Sequence, residues 1–307
     1  MLAVTIPKDN PPAKKRRTPW YWRIVRTAIL LYMVMLIGAC MFQEKLIFPG
    51  AGRSHGMAEF VVTPPKNAQL IQLQTASKAK AVALFGPALD KRGDPRPDAA
   101  TCPTILYFYG NGMCLSDTVD FEFSEFRQLG CNVMIVEYLG YGMSEGSPSQ
   151  QGCFEAADAA YAALVARPDI DPKHIITGGW SLGGAVACHV AATHPVTGLF
   201  MFSSFTSMTD VAHSHYPFLP VSLLLRHPFR SIDIIGDIKV PILIGHGTED
   251  DLIPYAMSET MKASAKSSPS VTHFRVEGAA HNDFYTMGQP EIFREVAAFI
   301  AECSPIK

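Results

Sequence analysis

The sequence predicts an α/β fold, a mainly parallel sheet with helices on both faces, preceded by an N-terminal membrane-anchor helix. Three observations lead there. Runs that are apolar on both faces recur along the chain and alternate with segments of helical period, the pattern of strands buried between two helical layers. Residues 24–42, "IVRTAILLYMVMLIGACMF", are apolar apart from Arg26 and the neutral Thr27. Polar, glycine-bearing clusters succeed the apolar runs at the carboxyl ends of the predicted strands, the edge where such sheets bind ligands.

Taken in order, residues 1–23 form a basic tail. The first 26 residues carry Lys8, Lys14, Lys15, Arg16, Arg17, Arg23 and Arg26 against the single acid Asp9, a net of +6. Alone, "KKRR" could be a nuclear signal or a solvated tail, but its apolar neighbour argues otherwise. Nineteen helical residues at about 1.5 Å each reach roughly 28 Å, close to the hydrocarbon thickness of a bilayer. Trp20, Tyr21 and Trp22 sit where an aromatic belt lies. Segment 24–42 therefore reads as a single transmembrane anchor. Positive charge before it keeps the N-terminus cytoplasmic and puts the body on the exocytoplasmic side. Two alternatives also place the body outside the cytoplasm: a cleaved signal peptide, and a lipoprotein signal in which "IGAC" makes Cys40 the lipidated N-terminus.

Residues 43–307 are expected to form one domain. It opens on a Pro/Gly-rich connector, "FPGAGRSHG", then strand-like "LIQLQT" and "AVALFGP" and an exposed loop over 87–102, rich in Pro, Asp and charge. Further strands are expected at "TILYFY", "NVMIVEY", "HIITGG", "LFMFSS", "PILIGH" and "THFRVEG", with helices at "CFEAADAAYAALVA", "LGGAVACHVAATH", "YAMSETMKASAKS" and "EIFREVAAFIAE". With 307 residues, 48% of them hydrophobic, the chain has the material for a large core. Overall charge is −2, so with +6 at the start the remainder carries about −8, which argues against a nucleic-acid partner. The seven cysteines include no C-x-x-C and so no zinc signature, and several fall in strand- or helix-like runs where buried free thiols are expected.

Chemistry concentrates in "GGWSLGG", residues 178–184. A serine with glycines two positions to either side, Gly179 and Gly183, fits a strand-to-helix turn so sharp that larger neighbours would meet the backbone. On its own the pattern is equally an ordinary Gly-rich turn. Serine needs a base to take its proton, commonly a histidine held in one tautomer by a carboxylate. The chain order Ser181, Asp250, His281 offers both partners. Among ten histidines, His281 comes after "FRVEGAA", so a strand end delivers it to the same rim. His189 and His194 belong to the helix after Ser181, and His213, His215 and His227 to an irregular, solvated segment. Asp250 lies within three consecutive acids, Glu249 to Asp251, which could also be a solvated loop. An acyl-transfer intermediate carries a negative oxygen, for which the expected donors are the backbone amides of Leu182, at the helix start, and Asn111, in the turn "YGNGM". Such a mechanism requires no metal and no organic cofactor.

Together these stretches resemble the alpha/beta-hydrolase superfamily, and within it the membrane-anchored abhydrolase-domain group of serine hydrolases, across residues 43–303. "GWSLGG" matches its nucleophile turn, "HGTEDDLIP" its acid loop, "GAAHND" its base, and "EYLGYGMSEG" a loop commonly written D-Y-R-G-Y-G-x-S-x-G, with "SSFTSMTDVA" after the next strand. The resemblance implies the alpha/beta-hydrolase fold and selects Asp250 over Asp251 as the acid. Two positions depart from the pattern: Tyr109 precedes Gly110 where the family has His, and Leu139 replaces the usual Arg. The family's range runs from depalmitoylation and lysophospholipid or acylglycerol hydrolysis to small-ester cleavage. The apolar "HYPFLPVSLLLRHPF" leaves room for a short helix over the site rather than a large lid. Beside an anchor it suits acyl chains at a membrane surface. The expected function is a membrane-anchored serine hydrolase of carboxylic esters or thioesters, with lipid or other acyl substrates. The alternatives are a serine peptidase on the same fold, and a catalytically silent binding module for which the altered "YGNG" loop is the only support.

Overall fold

The computed structural model describes residues 19–304, so "KKRR" and the rest of 1–18 lie outside the described residues. The chain divides into two compact units, Met1–Met41 and Phe42–Lys307. Helix α1 (Trp20–Ile47, 28 residues) is long and apolar enough to cross a membrane. At 1.5 Å per residue it extends about 42 Å. It starts at the aromatic triplet and runs five residues beyond the expected end at 42. Those last turns belong to the second unit, where Gln43 and Ile47 share one buried face.

The connector "FPGAGRSHG" is not irregular, as its composition suggests, but folds as helix α2 (Pro49–Ser54). Proline is tolerated at the first helical position because its missing N–H has no intrahelical partner there. Tertiary bonds supply what the glycines lack in helix propensity: the Gly50 amide donates to Asn111 O and the Gly142 amide to Ser54 Oγ, each at 3.0 Å.

Eight strands then build one sheet: β1 (Gln69–Gln74), β2 (Lys80–Gly86), β3 (Thr104–Phe108), β4 (Asn132–Val136), β5 (Ile175–Trp180), β6 (Gly198–Phe202), β7 (Ile242–Gly247) and β8 (Val271–Val276). Their spatial order is β1-β2-β4-β3-β5-β6-β7-β8; β2 runs antiparallel to both its neighbours and all remaining pairs are parallel. Between the strands lie α3 (Leu115–Thr118), α4 (Glu122–Gln128), α5 (Gln150–Val165), α6 (Leu182–Thr193), α7 (Met208–His215), α8 (Val221–Leu224) and α9 (Ala256–Ser264), and α10 (Phe284–Cys303) comes after β8. β3, β4 and β6 are buried at every residue, as strands covered on both faces must be. From β3 the chain crosses to β4 on one side and from β5 to β6 on the other. The neighbouring ends of β3 and β5 thus form a switch point, where diverging connections leave a crevice.

Loop 87–102 is largely exposed, as predicted, yet it is pinned at its base by Asn132, which accepts from the Ala88 amide at 3.0 Å and donates to Ala99 O at 2.9 Å. The six cysteines of the second unit are free and buried. His227, expected to be solvated, is instead half-buried, its ring centroid 5.3 Å from that of Phe48, and burial pushes its pKa down.

α4 and α10 meet through Phe121, Phe126, Tyr285 and Phe293. Under that contact Glu122 is buried beside Tyr107 and Tyr285, whose hydroxyls bond at 3.0 Å, and burial raises the Glu122 carboxyl to about 7. A carboxyl shifted upward by folding costs nothing below its unfolded pKa near 4.5. The cost grows as pH rises through the folded value and is complete above it. Glu122→Gln should therefore stabilise the protein by about 3 kcal/mol at pH 8 and leave it nearly unchanged at pH 4.5, read as the difference in unfolding midpoints at the two pH values.

Candidate active site

The turn between β5 and α6 is forced by its packing. Ser181 sits at φ +55°, ψ −119°, a region whose occupation costs a non-glycine residue about 1–3 kcal/mol. Both of its backbone polar groups are held from the β6 side: its amide donates to Phe202 O at 2.8 Å, and its carbonyl accepts from Ser204 Oγ at 2.9 Å, as well as from the Gly184 amide of its own helix at 3.0 Å. A Cβ on Gly179 would stand 2.6 Å from Phe108 O, and one on Gly183 would run into the same carbonyl. Gly183 is therefore required by the close passage of β3 under the turn, and Gly179 by that passage together with the Gly183 backbone, whose carbonyl carbon would lie 2.3 Å from the added Cβ.

Ser181 Oγ lies 3.0 Å from His281 Nε2, and His281 Nδ1 lies 2.8 Å from Asp250 Oδ2. The three residues expose only 4%, 2% and 9% of their surface, in the order Ser181, His281, Asp250. A carboxylate only accepts, so Nδ1 carries the imidazole proton and Nε2 keeps the lone pair facing the serine hydroxyl. The loops carrying acid and base are bonded together, Thr248 N to Val276 O and Glu249 N to Ala279 O, each at 3.1 Å. Of the three consecutive acids, Glu249 and Asp251 are exposed and Asp250 alone turns inward.

Asp250 is saturated with donors. Its Oδ1 accepts from the Leu252 and Ile253 amides at 3.0 and 2.7 Å, and its Oδ2 faces His246 Nε2 at 3.2 Å besides His281. Burial alone would raise this carboxyl, but the hydrogen bonds from His246 and His281 outweigh it and hold its pKa well below the usual carboxylate range. Sequence reasoning misses His246, fully buried at the end of β7, although it stands four residues before Asp250 inside "GHGTEDD". Its Nε2 is also 2.9 Å from Ile253 O, so the proton sits there and the imidazole ties the acid to its own loop. Trp180 is a second residue missed: its indole stacks on the His281 ring, centroids 5.0 Å apart.

Leu182 opens α6 and Asn111 lies in the turn after β3. That turn approaches the serine so closely that a Cβ on Gly110 would lie 2.5 Å from Trp180 and 3.5 Å from Ser181 Cβ. Neither the Leu182 nor the Asn111 amide donates to an acceptor among the described residues. The two departures from the family pattern near this loop have physical accounts. Tyr109 Oη donates to Glu137 Oε1 at 2.6 Å, and the same oxygen accepts from the Leu115 amide at 2.8 Å. The residue replacing His thus bonds the acid that opens "EYLGYG", while Leu139 is simply buried in the core. Among the described residues no group of three or more His, Cys, Asp or Glu is arranged to hold a metal.

His189 and His194 sit apart from this site, both against Asp158 Oδ1 at 3.0 and 2.9 Å and stacked on Phe154 and Tyr161. His213 and His215 are exposed, as expected, but lie on helix α7 rather than in an irregular segment.

Residues 141–304 match a family profile described as phospholipase/carboxylesterase. Alpha/beta hydrolase domain-containing protein WAV2 of Arabidopsis thaliana is 30% identical over 290 residues, 87% of this chain and 90% of that protein. Alpha/beta hydrolase domain-containing protein 17B of Xenopus laevis is 33% identical over 192 residues, 61% of this chain and 65% of that protein, so this match spans just under two thirds of the relative. Among solved structures, an esterase of Pyrococcus furiosus superposes with a TM-score of 0.63 at 16% identity, covering 78% of this chain and 99% of that one. At such identity the likeness is one of fold. The chain therefore belongs to the alpha/beta-hydrolase superfamily, within the phospholipase/carboxylesterase family of ester hydrolases.

Proposed function

We propose that the protein is a membrane-anchored serine hydrolase that cleaves carboxylic ester or thioester bonds of acyl or lipid substrates through Ser181, His281 and Asp250. The observation that carries this reading is the unbroken line of bonds from Ser181 Oγ to His281 Nε2 and from His281 Nδ1 to Asp250 Oδ2. Ser181 Oγ attacks the carbonyl carbon as its proton passes to His281 Nε2. The resulting oxyanion is received by the amides of Leu182 and Asn111. On collapse, His281 returns the proton to the departing oxygen or sulfur, leaving an acyl-Ser181 ester. Water then repeats the sequence, releasing the acid and restoring the serine. Asp250 stays ionised throughout, holding the tautomer and balancing the imidazolium.

Lipid-type substrates are favoured by the surface around the site. The segment that begins at the end of α7 presents Tyr216, Phe218 and Leu223, the last 85% exposed. His215 Nε2 bonds Leu252 O at 2.8 Å, so this apolar segment borders the acid loop. In this reading the chain has three parts: a basic tail over 1–23, an anchor over 24–42 and a catalytic domain over 43–307. With the basic tail cytoplasmic, the catalytic domain faces the exocytoplasmic side. A lipid on Cys40 would serve the same anchoring, and the mass of the mature N-terminus distinguishes the two.

The test is turnover of p-nitrophenyl esters from acetyl to palmitoyl by the full chain in detergent. Ser181→Ala should lower kcat/KM by at least about 10³-fold and abolish labelling by a fluorophosphonate. A wild type that is folded yet neither cleaves nor labels would sink the reading. Asp250→Asn should cost about 10³ to 10⁴-fold in kcat, because an amide facing Nδ1 favours the wrong tautomer. His246→Gln should cost only about tenfold, since the Leu252 and Ile253 amides still hold the carboxylate. The order of the three losses checks the assigned roles.

A further inference from the structure

Asn111 is held by a part of the chain that the sequence presents as a spacer. Its side-chain Nδ2 donates to Ile47 O at 2.7 Å, the last residue of α1, and its carbonyl accepts from the Gly50 amide and from Tyr141 Oη, both at 3.0 Å. Gly110 O, in the same peptide plane as the Asn111 N–H, accepts from Met113 N at 3.1 Å. Peptide planarity then fixes the direction of that N–H. Gly50 packs so tightly here that an added Cβ would lie 2.5 Å from Met113 O, 2.8 Å from Asn111 O and 2.8 Å from the Tyr141 ring.

The same short segment also grips the apolar stretch beside the acid loop. Gln43 is buried; its Nε2 donates to Leu224 O at 3.2 Å and its Oε1 accepts from the Arg226 amide at 2.8 Å. Phe48, 1% exposed, closes the gap against His227 and Phe229. Eight consecutive residues, 43–50, thus hold both the turn carrying the Asn111 amide and the apolar segment that borders the site.

We propose that segment 43–50 is a positioning element of the active site, in which Ile47 and Gly50 hold Asn111 by its side chain and its own carbonyl and so fix the residue whose N–H receives the oxyanion. The proposal rests on the serine-hydrolase reading above. It makes the stretch leaving the apolar helix part of the catalytic apparatus, so the placing of that helix end and the competence of the oxyanion site are coupled.

Two alanines in the same helix separate this role from a structural one. Gly50 faces the turn, whereas a Cβ on Gly52 meets nothing within 4 Å. Alanine favours helix over glycine at either position, so helix weakening cannot explain a loss. In the full chain, Gly50→Ala should lower kcat for p-nitrophenyl butyrate by at least about tenfold with KM within about twofold. Affinity for an alkyl trifluoromethyl ketone, whose serine adduct carries the oxyanion, should fall by the same factor. Gly52→Ala should match the wild type in all three quantities. Equal kcat in the two variants, or a loss confined to KM, overturns the proposal. Should Gly50→Ala not fold, Asn111→Asp replaces the Nδ2 donor by an oxygen of the same shape against Ile47 O. Retained kcat and ketone affinity in that variant overturns the proposal equally. Amide hydrogen exchange at 110–114 gives a readout independent of turnover. It should rise in Gly50→Ala or Asn111→Asp and not in Gly52→Ala. A wild type inert to ester and ketone would remove the hydrolase reading; unchanged exchange at 110–114 would remove the positioning role whatever the activity.

Discussion

The left-handed backbone at Ser181 constrains most of its surroundings. β5 must hand the chain directly to α6 at the centre of the sheet, and a serine at φ +55° achieves this at a cost of about 1–3 kcal/mol. The strain persists because neighbouring structure over-determines the turn: Phe202 O and Ser204 Oγ hold its backbone from the β6 side, and Phe108 O presses against Gly179 and Gly183 from the β3 side. Since β3 and β5 are adjacent at the switch point, the same packing that shapes the serine turn brings the turn after β3 beside it.

Around that turn two buried carboxylates each gather a set of hydrogen-bond donors. One set converges on Asp250, which takes two backbone amides on one oxygen and faces two imidazoles with the other. The other converges on Glu137, which accepts from Tyr109 and from the Leu115 and Met143 amides. Burial raises the Glu137 carboxyl against the opposing pull of these bonds, whereas Asp250 is held low because its two histidine partners outweigh burial. Similar acids thus behave oppositely because of the groups that face them. The pairing of Tyr109 with Glu137 also accounts for a tyrosine where the family pattern carries histidine: the loop keeps a side-chain donor, directed at a different acceptor.

Much of this architecture is legible in the residues themselves. Runs such as "TILYFY" and "NVMIVEY", short, apolar throughout and bounded by turn residues, read as strands buried on both faces, and all eight expected strands are present. "GGWSLGG" announces its turn because only glycine tolerates the backbone approach on either side. Other features left no such trace. "FPGAGRSHG" reads as a connector because Pro and Gly are poor helix formers, yet a bond to a residue about sixty positions away, Asn111, helps make it α2. His227 sits among exposed-looking residues and is covered by Phe48, which local composition does not place there.

The sequence by itself determined the eight strands in chain order, the apolar helix and the candidates Ser181, Asp250 and His281, because each rests on local steric or hydrophobic periodicity or on a short motif. Only the tertiary structure decided which residues lie side by side. It turned Asp250 inward while Glu249 and Asp251 stayed exposed, set His246 on the acid and Trp180 on the base, and brought Ile47 and Gly50 to Asn111. These contacts join residues with no shared period or motif. The orientation of a side chain or a peptide plane is settled by the three-dimensional neighbours that satisfy its hydrogen bonds, and spacing along the chain does not encode them.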